Sequence, residues 1–96
     1  MNQYDNHAVP VVYRTPSKLR VGDIVRMHGG RFKVTSDPRE SQAHRPEGYW
    51  PAGGVGPSDC HVVDSVCIEG SVPGYFWPGS DWVIQGNHLA QFQVEA

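Results

Sequence analysis

Past Arg45 the chain contains no lysine and no arginine. All eight basic residues lie at or before it, with only four acids among them, Asp5, Asp23, Asp37 and Glu40, so that segment carries 8 − 4 = +4. Residues 46–96 hold the other six acids and carry −6. A net charge of −2 therefore hides two poles. Either the halves neutralise each other inside the fold, or the surface is polarised.

Other absences narrow the classes further. No run of about 18 apolar residues exists, which excludes a transmembrane helix. The N-terminus, MNQYDNHAVPVVYRT, shows no basic stretch followed by an apolar block, so no signal peptide is expected and the expected compartment is the cytoplasm. There are only two cysteines, Cys60 and Cys67, expected as reduced thiols. Heptads, internal repeats and a Gly-rich phosphate loop are also missing; GGVGPSD lacks the Lys-Ser/Thr ending.

What the chain has in abundance is turn formers, eleven glycines and eight prolines in 96 residues. Ninety-six residues fit one domain, expected over 9–96 behind a loose tail at 1–8. The clearest local pattern is DIVRMHGGRFKV. Two alternating runs flank Gly29-Gly30, which predicts a hairpin with both glycines at positive φ. Val25 and Met27, then Phe32 and Val34, would form an apolar side, and Arg26, His28, Arg31 and Lys33 a basic side. VVY at 11–13 predicts an opening strand. CHVVDSVCIE predicts a strand pair or one bent strand, because β-branched residues dominate it. Near the end, Gly86-Asn87 predicts a turn joining Trp82–Gln85 to Leu89–Val94 as a second hairpin. Residues 37–59 hold four prolines and four glycines without periodicity and predict a long irregular loop. Five or six short strands on such a chain predict an all-β fold, a small SH3-like barrel or a strongly bent antiparallel sheet.

KLRVGDIVRMHGGRFKV and DWVIQGNHLAQFQVE together resemble a class of small, uncharacterised proteins encoded by bacteriophages. The residues carrying the resemblance are Gly22, Asp23, His28 and Gly29 in the first stretch, and Trp82, Gln85, Gly86, Asn87, Ala90, Phe92 and Val94 in the second. They lie in roughly a third of the chain. The resemblance implies a phage origin, hence the cytoplasm of an infected bacterium, and one small domain. It implies no reaction.

His28, His44, Cys60, His61, Cys67 and His88 could ligate a metal, but no close Cys-x₂₋₄-Cys pair exists, and no metal or other cofactor is expected. The cysteines sit among valines, the setting of inert core thiols and not of nucleophiles. An anion site is open on the basic hairpin side. Arg26, Arg31 and Lys33, extended by Arg39, His44 and Arg45, would face a nucleotide or nucleic acid, with Trp50 or Trp77 stacking on bases. Two aromatic loops, GYWPAGG and PGYFWPG, open a protein-binding reading. Their rings either contact a partner or fold back to cap the barrel. Gln85, Asn87 and His88 join the candidate contact residues, and self-association through an edge strand stays open. The expected function is non-enzymatic binding of a host or phage protein, with anion binding as the alternative and a thiol- or histidine-dependent enzyme ranked last.

Overall fold

The computed structural model describes residues 10–40 and 60–96. They form a nearly all-β molecule, a strongly curled antiparallel half-barrel. No helix among them is long and apolar enough to cross a membrane. Seven strands make one sheet: β1 (Val11–Arg14), β2 (Ile24–Met27), β3 (Gly30–Val34), β4 (Arg39–Glu40), β5 (His61–Glu69), β6 (Asp81–Gly86) and β7 (Phe92–Glu95). The order across the sheet is β1-β7-β2-β3-β5, with β4 and β6 also paired to β5. β3 and β4 follow one another along one side of β5, since Thr35 N–H, between them, donates to Asp64 O at 2.9 Å. β6 takes the other side, so β1 and β6 are the outer strands.

Period-two alternation selects the core. Val25, Phe32, Val34, Val63, Cys67, Ile84 and Val94 turn inward and are buried, and Leu19 and Phe76 complete the cluster. Met27 and Phe92 pack against this cluster while only partly buried. Ser65 is the buried polar side chain among the described residues, and it is satisfied: its Oγ donates to Trp82 O at 2.7 Å.

Two local expectations change, and one open alternative closes. The first hairpin turns one residue earlier than the glycine pair suggests. His28 (φ 55°) and Gly29 (φ 79°) take the positive-φ positions, and Met27 faces Gly30. Histidine tolerates that region better than most residues. Gly30 is needed for space: a Cβ there would sit 2.9 Å from Glu69 O and 3.0 Å from the Phe76 ring. Of the two readings of CHVVDSVCIE the bent strand holds: His61–Glu69 is one strand of nine residues, and an irregularity opposite Arg31 and Phe32 absorbs Ile68. Finally, β6 and β7 do not pair with each other. β6 pairs with β5, while β7 inserts between β1 and β2. The linking turn spans Asn87 to Ala90, with Ala90 N–H donating to Asn87 O and Leu89 N–H to Asn87 Oδ1. Gly86 is the last residue of β6, without positive φ, and a Cβ on it would meet the Ala90 Cβ at 2.7 Å.

The predicted loop 37–59 contains β4 near its start; its residues 41–59, and the expected tail at 1–8, lie outside the described residues.

Candidate functional site

The basic side of the first hairpin exists, but most of its charge is neutralised. Arg26 and Arg31 stand directly opposite each other on β2 and β3, an arrangement that repels unless countered. Glu95 on β7 counters it. Its carboxylate accepts from Arg31 Nε at 2.7 Å and Nη2 at 2.9 Å, and lies 3.7 Å from Arg26 Nε. Arg31 Nη1 donates to Glu69 on β5 at 2.9 Å. The paired guanidinium holds Glu95 below the usual glutamate range, chiefly through these hydrogen bonds, and Glu95 in turn raises the Arg31 pKa further. A groove of about 420 Å³ runs beside this cluster, floored by the Gly29-Gly30 backbone and flanked by Arg26, Arg31, Glu69 and Gln93. It presents acids as well as bases.

The two charge poles of the sequence therefore meet inside the fold. Among the described residues Arg14–Asp23 stays within the N-terminal half; Arg26–Glu95, Arg31–Glu95, Arg31–Glu69 and Arg39–Asp64 join the halves. Lys33 is exposed and forms no ion pair among the described residues. His28 departs from the basic side, because its ring meets Trp82 edge-on with centroids 5.9 Å apart. His44, Arg45 and Trp50 lie outside the described residues.

The loop between β5 and β6 divides its three aromatics. Phe76 folds inward, 2 % exposed, and packs edge-to-face on Phe32 and Trp82 at 5.0 and 5.5 Å. Its neighbours do not follow: Tyr75 is 69 % and Trp77 56 % exposed. Short hydrogen bonds fix the backbone on both flanks. Val72 N–H donates to Phe76 O and Tyr75 N–H to Val72 O, both at 2.9 Å. Trp77 N–H donates to Ser80 Oγ at 3.0 Å, and Gly79 N–H to Cys67 O at 2.8 Å. Two large rings are thus held in solvent on a loop with a core anchor.

In the Gln-Gly-Asn-His stretch, Gln85 and His88 are exposed and Asn87 closes its turn with its own side chain. The structure does not bring them together with the basic hairpin side into one concave site. Cys67 is buried, and its Sγ lies 3.4 Å from the carbonyls of Glu69 and Gly70. Cys60 is buried as well. No group of three or more His, Cys, Asp or Glu converges among the described residues.

Sequence reasoning missed Val83, 54 % exposed at the middle of outer strand β6. The alternation in DWVIQG signals it, because Trp82 and Ile84 cannot both face the core unless Val83 faces out. Comparison of the chain with protein-family models, curated proteins and solved structures gives no match.

Proposed function

We propose that this chain is a non-enzymatic binding module whose partner is a protein, host or phage, met in the cytoplasm of an infected bacterium. One observation carries the reading: Phe76 is locked in the core while Tyr75 and Trp77 are held out beside it. Burying an aromatic at an interface removes large apolar area from water at little rotamer cost, and a fixed loop has already met the ordering cost. The expected contact is a partner pocket that takes the Trp77 ring, with Tyr75 beside it. Affinity capture from infected cells with the wild-type chain and with the Tyr75→Ala/Trp77→Ala double variant tests this. The variant should melt at the wild-type temperature and lose the captured partner. A variant that keeps the partner at full yield refutes the loop as the contact surface.

A second reading, a nucleotide or nucleic-acid site, is favoured by the groove beside Arg26. Electrostatics oppose it, since Glu69 and Glu95 lie on the same face and would repel phosphate. Retention on heparin that falls with salt, and is lost in Arg26→Ala, would favour this reading over the first.

A further inference from the structure

β6 is a six-residue outer strand, and among the described residues nothing pairs with its outward edge. The hydrogen bonding fixes which groups that edge presents. Cys67 N–H donates to Ser80 O, and the register of the pair then places the β5–β6 bonds at Ser65/Trp82, Val63/Ile84 and His61/Gly86. Asp64, opposite Val83, confirms the phase, because its carbonyl accepts from Thr35 on the other side of β5 and its N–H donates to Ser36 Oγ. The backbone N–H and C=O of Asp81, Val83 and Gln85 therefore point away from the sheet.

Outer strands of natural sheets are usually guarded by lysine, proline or a bulge. β6 has none of these along its length, and its one charge is Asp81 at the first position. The outward residues are also self-complementary. We infer that β6 pairs antiparallel with β6 of a second copy about a two-fold axis at Val83, continuing the two half-barrel sheets into one. That register sets Val83 against Val83 of the other copy and Asp81 against Gln85, engaging every outward backbone group in roughly six inter-chain hydrogen bonds. Sliding one strand by two residues drops an outward residue from the pairing, and a parallel in-register arrangement stacks Asp81 on Asp81. The opposite outer strand is a poorer candidate. Ala96 N–H donates to Pro10 O, so β1 turns only Val11 and Tyr13 outward, and the strand ends in Arg14.

This goes beyond the loop reading and uses other residues, so the two fail separately. Sedimentation of the full chain from micromolar to millimolar concentration should show a monomer–dimer equilibrium. Val83→Pro should weaken it about thirtyfold, because proline removes both symmetric Val83 donors while β5 loses no hydrogen bond. Gln85→Asp should weaken it by setting carboxylates against Asp81, and Gln85→Lys should tighten it. Val83→Cys should oxidise to a covalent dimer, since bonded antiparallel partners sit about 5.5 Å apart at Cα. Tyr75→Ala/Trp77→Ala should leave all of this unchanged. A chain that stays monomeric throughout overturns the inference. So does a dimer indifferent to Val83→Pro and to both Gln85 variants. A monomer whose captured partner is lost in Val83→Pro would assign the edge to a foreign strand, and that also overturns pairing with a second copy.

Discussion

The two hairpins of this protein invert what their compositions suggest. β2–β3 carries Arg26, Arg31 and Lys33 beside a tight glycine turn and looks like a contact surface. β5–β6 has no cation, is rich in valine, and looks like filler. In the fold, the first is engaged internally: Glu95 and Glu69 clamp its arginines, and its exposed charge reduces largely to Lys33. The second holds two exposed rings and an open edge. Charge in a sequence thus shows what can pair, and only topology shows whether the partner is solvent, ligand or another strand. Here β7 returning between β1 and β2 brings Glu95 within reach of both arginines.

Breaking the anchor of the second hairpin should have the largest effect. Phe76→Ala removes a buried ring packed on Phe32 and Trp82 and should cost about 3–4 kcal/mol of stability, read by urea unfolding. It should also abolish partner capture, because Tyr75 and Trp77 lose their fixed frame. Next comes the crossing between the hairpins. Gly86→Ala should destabilise by about 1–3 kcal/mol through the Ala90 contact, and adding Ala90→Gly should recover most of it; no recovery would mean that Gly86 serves its strand and not the close approach.

Clamping of the first hairpin by Glu95 predicts a pH effect on stability. Glu95 titrates lower in the folded chain than unfolded, so its contribution is complete above the ordinary glutamate range and falls away as pH drops through the lowered folded value. Glu95→Gln should lower Tm by about 5 °C at neutral pH and flatten the acid limb of the Tm-versus-pH curve. An unchanged acid limb would show that the clamp does not stabilise the fold. Smallest of all, Tyr75→Ala/Trp77→Ala should change unfolding free energy by no more than about 0.5 kcal/mol, and Gln85→Ala by no more, since all three side chains are exposed.

Alternation made the β2 and β3 strands and four core residues, Val25, Phe32, Val34 and Val94, readable from sequence, because a pleated strand has one period and one buried face. Pairing partners were less legible. Gly86-Asn87 reads as a hairpin turn by local chemistry, and nothing within the stretch reveals that β6 and β7 belong to opposite ends of the sheet. The glycine pair misled for a related reason. One glycine serves φ and the other serves space, and the space is set by Glu69 and Phe76, some forty residues downstream. The fate of the aromatic loop was open to the same degree, since which of Tyr75, Phe76 and Trp77 goes inward depends on where the core leaves room.

β7 lies between the first strand and the second, and the Ala96 N–H reaches back to Pro10. During synthesis β1 must therefore wait, without its neighbour, while all the intervening residues are made. The sheet can close only when β7 leaves the ribosome, and that closure spans nearly the whole described chain. Such long-range zipping is slow by nature, and a chain stopped short of Phe92 would release its first strand along with its last.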